Sequence, residues 1–132
     1  MHFMQGLADF ATYFGMGLGF MVLYVVLYLY ATPHREITLI RGDNLPAAVV
    51  LAGALLGFAV PLASALRIAS GLLDVAAWAF MALVAQLVAY ALVALLLKDF
   101  SKRINRGEMA AAVLAAAIHL GVGLINSAAM SF

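Results

Sequence analysis

The stretch LPAAVVLAGALLGFAVPLASAL, residues 45–66, runs for 22 residues without an Asp, Glu, Lys or Arg. Roughly 20 helical residues, rising about 1.5 Å each, cross a hydrocarbon core about 30 Å thick. This stretch is therefore long enough to span a bilayer. Three others match it: residues 10–30, 75–97 and 109–132 are equally free of charge over 21, 23 and 24 residues. Only 10% of the 132 residues are charged and the mean hydropathy is +1.12. A soluble domain is about 25% charged, so a soluble globular fold is excluded. The runs are continuous and rich in Leu and Ala, where barrel strands would alternate polar and apolar residues. The expected fold is all-α, a polytopic membrane protein with four transmembrane helices in one domain over residues 1–132.

The first run does not read as a cleavable signal peptide. No Lys or Arg precedes it, it exceeds the usual length of such a core, and Pro33 follows it. Translocated loops are poor in Lys and Arg. Arg35, Arg41, Lys98, Lys102, Arg103 and Arg106 fall in the two loops on one side, and Arg67 alone on the other. That bias puts both termini outside and the two basic loops in the cytoplasm. It also speaks against a dual-topology dimer of the small multidrug transporter kind.

An internal repeat organises the chain, with units at residues 7–66 and 72–131. At an offset of 65, LADFATYFGMGL from Leu7 meets LLDVAAWAFMAL from Leu72, which pairs Asp9 with Asp74 and Tyr13 with Trp78. Arg41-Gly42-Asp43 then meets Arg106-Gly107-Glu108, and after a one-residue slip Ala47, Ala48, Val49, Ala52 and Gly57 meet Ala111, Ala112, Val113, Ala116 and Gly121. Each unit holds two helices, so the halves share one orientation about an axis along the membrane normal. Two parallel-repeat helical hairpins result. Asn44 is placed to cap the second span, with Pro46 in its first turn. Tyr24, Tyr28 and Tyr30 read as an interfacial belt at one end of the first span.

The loop Thr32-Pro33-His34-Arg35-Glu36, the run from Leu39 through Arg41-Gly42-Asp43-Asn44 to Ala48, Gly53-Ala54-Leu55-Leu56-Gly57, and Pro61-Leu62-Ala63-Ser64-Ala65 resemble the YjfL-like family of bacterial inner-membrane proteins, domain of unknown function 350. Gln86-Leu87, Arg106-Gly107-Glu108 and the ending from Asn126 to Ser131 resemble it too. The resemblance covers nearly the whole chain. It implies a multi-pass protein of the bacterial inner membrane with a duplicated two-helix unit, and it carries no catalytic residue.

Polar residues inside hydrocarbon are costly and point to function by default. Gln86 falls near the middle of the third run and His119 near the middle of the fourth. His119, Gly123 and Asn126 share one helical face, and Gly53, Gly57, Val60 and Ser64 form a comparable stripe beside Pro61. The candidate intramembrane polar site is Gln86, His119, Asn126 and Ser64. The same groups also serve as interhelical glue, at about 0.6 kcal/mol each on average. Asp9 and Asp74 are a candidate outer mouth, or else ordinary acids of a helix's first turn. Gly15, Gly19, Gly53, Gly57 and Gly121 are candidates for helix packing, within one bundle or between copies.

Enzyme chemistry finds little footing. There is no Cys, His2, His34 and His119 lie in different regions, and no phosphate-binding loop is present. Neither cofactor nor nucleic-acid partner is expected. The expected partners are membrane lipids, to which the basic loop 98–106 could add headgroup contacts, and further copies of the chain in a homo-oligomer. Two functions compete: passage of an ion or small solute, and a non-transporting scaffold or stress-associated subunit acting through partner proteins. The scaffold reading draws on the expectation that no carboxylate is buried for proton coupling.

Overall fold

A computed structural model describes residues 2–33 and 35–130. His34, Ser131 and Phe132, which the sequence reading places in the first loop and at the end of the fourth run, lie outside the described residues. The elements are α1 (His2–Ala31), α2 (Glu36–Arg41), α3 (Leu45–Ile68), α4 (Leu72–Leu96), α5 (Phe100–Asn105) and α6 (Met109–Ala129), and no strand occurs among the described residues. Four of these helices are long and apolar enough to cross a membrane: α1, α3, α4 and α6. Only helices and closed barrels satisfy every backbone polar group in lipid, so uninterrupted Leu- and Ala-rich segments take this form. The first span begins earlier than the charge-free run, because Asp9 is accommodated within α1.

Two six-residue helices, α2 and α5, occupy the stretches read from sequence as plain loops. Each ends in the same turn. Asn44 N donates to Leu39 O at 2.9 Å and Asp43 N to Ile40 O at 3.0 Å, while Glu108 N donates to Arg103 O at 3.0 Å and Gly107 N to Ile104 O at 2.9 Å. These paired bonds, with Asp43 at φ 65° and Gly107 at φ 81°, are Schellman turns whose left-handed residue releases the chain into the next span. Asp43 and Gly107 thus hold the same position in their two turns. Asn44 then caps α3 by accepting from Ala47 N at 2.9 Å, and its Nδ2 donates to Ile104 O at 3.1 Å, tying the two connectors at one end of the bundle. At the other end a short turn joins α3 to α4, with Asp74 Oδ2 accepting from Ser70 N at 3.1 Å.

The tightest seam joins α3 to α6, where small residues let backbones meet. A Cβ on Gly53 would lie 2.5 Å from Ala116 Cα. One on Gly57 would run into the His119 carbonyl, and one on Gly123 into the Gly57 carbonyl. Pro61 supplies no N–H, so the Gly57 carbonyl four residues earlier lacks its helical donor. It turns instead toward the Gly123 Cα–H, a weak contact of a kind common at helix interfaces. Thus the α3 stripe Gly53, Gly57 and Ser64 faces the α6 stripe carrying Ala116, His119, Gly123 and Ser127. Helix α1 is attached more lightly, and only Gly17, Tyr24 and Tyr28 along it are buried.

Candidate functional site

Midway along the bundle α4 and α6 present their polar residues to each other. Gln86 and His119 are 2% and 1% exposed, so both depend on internal partners. Gln86 Nε2 donates to His119 O at 3.2 Å, which fixes the amide orientation because a carbonyl can only accept. Gln86 Oε1 is then the acceptor for His119 Nδ1 at 2.8 Å, and the proton sits on Nδ1. Tyr24 Oη donates to the same oxygen at a longer 3.4 Å.

An aromatic layer surrounds this pair. Tyr24 stacks on Phe58 at 4.6 Å between centroids, and Tyr28 meets the His119 ring edge-on at 5.8 Å. Tyr28 also meets Tyr90 edge-on at 6.4 Å. The belt expected of Tyr24, Tyr28 and Tyr30 is corrected accordingly: Tyr30 is outward-facing, but Tyr24 and Tyr28 point into the protein. They follow Gly17 at seven and eleven residues, one helical face, and that spacing is the signal that could have placed them.

Glu36, in the first turn of α2, is 1% exposed. The expectation that no carboxylate is buried therefore fails, because α2 folds back and turns its first residue inward. Its carboxyl lies near enough to Tyr24, Tyr28 and Tyr90 to act on their hydroxyls electrostatically. The Tyr28 hydroxyl is buried with the Glu36 carboxyl within its reach as a hydrogen-bond partner.

Between α1 and α4 a cavity of ≈360 Å³ reaches inward as far as Gln86, with Tyr24, Tyr28, Leu83, Leu87 and Tyr90 among its walls. It exists because α1 leans on α3 and barely touches α4.

The remaining sequence candidates divide. Ser64 is buried and meets the Ser127 hydroxyl, and Arg67 Nη2 donates to Ser64 Oγ at 3.1 Å. Asn126 lies on the same α6 face, half-buried, with its side-chain Nδ2 enclosed and without a hydrogen-bond partner. Ser64 and Asn126 thus lie toward the α3–α4 turn, apart from the Gln86–His119 pair. Asp74 is engaged by the turn before α4, whereas Asp9 is exposed on α1; among the described residues no hydrogen bond or ion pair joins them. Of the packing glycines, Gly53 and Gly57 sit in the seam, but Gly15, Gly19 and Gly121 have nothing within 4 Å of a built Cβ. Gly17, not among the candidates, is the α1 glycine that packs, against Leu66. Among the described residues no group of three or more His, Cys, Asp or Glu is placed to hold a metal ion.

Four apolar helices around a buried polar pair define an integral membrane protein. Residues 1–130 match the family described as Domain of Unknown Function (DUF350), and the chain belongs to that family. It is 34% identical over the full length of both chains to the inner membrane protein YjfL of Escherichia coli strain K12, and equally to that of Escherichia coli O157:H7. The chain is thus a multi-pass protein of the inner membrane. No solved structure matches it.

Proposed function

We propose that the protein passes a small solute or ion across the inner membrane, without enzymatic chemistry, using Gln86 and His119 as its polar station. The observation that carries this reading is the position of the pair: a mid-span donor–acceptor set at the inner end of a cavity open between α1 and α4. Polar groups inside a membrane cost free energy and are retained where they face a path or one another. Ser64, Ser127 and Asn126 form a second, separate polar group on the α3–α6 face toward the α3–α4 turn. The buried Glu36 carboxyl adds an ionisable group at the other end.

The Lys and Arg distribution supports an orientation with both termini periplasmic and α2 and α5 cytoplasmic. Self-association is supported by Gly15 and Gly19, which lie on the open face of α1, opposite Tyr24 and Tyr28. The membrane's own lipids are the other partner.

One observation favours the second reading, a scaffold acting through partner proteins. The α3–α6 seam is closed by backbone contact, so no conduit runs between those two helices. Flux through purified protein in liposomes separates the readings. His119→Ala and Gln86→Leu are each expected to change the flux several-fold while the oligomer survives. Absence of flux over a panel of ions and small solutes, with both variants folded, overturns the passage reading in favour of the scaffold.

A further inference from the structure

A second cavity, of ≈450 Å³, opens at the connector end of the bundle beside α4 and α5. One wall is apolar, because Tyr90, Val93, Ala94 and Leu97 fall at helical spacing along one face of α4 and its end. Tyr90 Oη donates to Ala31 O at 3.2 Å, so this tyrosine lends the cavity its ring rather than its hydroxyl. The rim is charged. Asp99 and Lys102 both line it, both are exposed, and among the described residues neither side chain makes a hydrogen bond or an ion pair. Asp99 precedes α5 with a left-handed φ of 56°, outside the helical row, so the pairing that opposite charges three apart on a helix would make is absent. The cavity therefore presents a cation and an anion that do not neutralise each other, beside an apolar strip that continues into a membrane span.

Charge complementarity selects among the molecules that could lie there. A free phosphate ion engages Lys102 alone and leaves the α4 strip to water. The headgroup of an anionic lipid such as phosphatidylglycerol also engages Lys102, but it sets a second negative charge beside Asp99 with nothing to offset the repulsion. A phosphoethanolamine headgroup answers both charges: its phosphate accepts from Lys102 Nζ and its primary ammonium donates to the Asp99 carboxylate. Its acyl chains then follow Val93, Ala94 and Leu97 into the bilayer. Phosphatidylcholine has the same charges in the same order, but its quaternary ammonium carries no N–H to donate to Asp99.

We propose that the cavity beside α4 and α5 is a phospholipid site selective for the phosphoethanolamine headgroup, with Lys102 holding the phosphate and Asp99 the ammonium. The site stands apart from the Gln86–His119 pair and does not depend on the passage of any solute. The test is native mass spectrometry of the full-length protein in detergent, titrated with an equal mixture of phosphatidylethanolamine, phosphatidylglycerol and phosphatidylcholine. The parent protein should retain phosphatidylethanolamine several-fold over either of the others. Asp99→Asn keeps the size of the side chain and removes its charge, and should abolish that preference while leaving phosphatidylglycerol bound at least as well as before. Lys102→Gln should weaken phosphatidylethanolamine and phosphatidylglycerol alike, about fivefold, the equivalent of about 1 kcal/mol. Ala94→Trp fills the cavity and should lower retention of phosphatidylethanolamine, whereas Arg41→Gln, an exposed basic residue of the other connector, should leave the preference unchanged. A preference for phosphatidylglycerol in the parent, which a merely basic connector would give, overturns the proposal. So does an unchanged preference in Asp99→Asn or in Ala94→Trp, or displacement of the lipid by inorganic phosphate alone.

Discussion

Single residues in the seam and in the polar pair carry different kinds of free energy, and substitution separates them. Gly57→Ala and Gly123→Ala each drive a methyl group into a backbone carbonyl that cannot move aside. A loss of about 3 kcal/mol or more is expected, at the upper end of overpacking costs, read as a lower midpoint in detergent unfolding. Gly121→Ala, which meets open space inside α6, should instead leave stability unchanged or raise it by up to about 1 kcal/mol by the same measurement. Gln86→Leu strands His119 Nδ1 and should cost about 1 kcal/mol or more, whereas combining it with His119→Leu removes both polar groups and should recover part of that loss. A double-mutant cycle in detergent gives the coupling directly. Gln86 and His119 were legible in the sequence because each interrupts a long apolar run. Glu36 was not, since a charged residue beside Pro33 and Arg35 reads as solvated loop, and only the backward turn of α2 buries it.

Between the spans, α2 and α5 show how a connector is punctuated. Asp43 takes up a left-handed conformation that costs an L-residue about 1 kcal/mol and glycine almost nothing, while Gly107 already holds the equivalent place. Asp43→Gly should therefore raise stability by up to about 1 kcal/mol and Gly107→Ala lower it by a similar amount, both measured by thermal unfolding in one detergent. The Arg103–Glu108 and Arg106–Glu108 pairs beside this turn are at least one-third exposed on each partner, so high salt should shift that midpoint little. The spans themselves were readable to within a turn or so at most ends, since apolar length alone decides them. The short helices were not, because six residues carry too little periodicity and their turns are settled by hydrogen bonds between distant main-chain groups.

At the scale of the whole molecule, the up-and-down course of the spans puts both connectors at one end, with the start of α1 and the end of α6 at the other. Reporter fusions after Asn44 and after Arg106 are expected to report cytoplasm, and one after Phe132 periplasm; a cytoplasmic C-terminus would reverse the orientation proposed from the basic residues. The all-helical, four-span architecture followed from composition and run length. What did not follow is the uneven way the spans adhere, with α3 at the centre, α6 locked to it and α1 held by a few contacts, because that depends on which glycines find a backbone to meet. The two members of the locked pair are also made at different times. As the chain leaves the ribosome α3 emerges well before α6, so Gly53 and Gly57 find the backbone they pack against only after α4 and α5 have also been made.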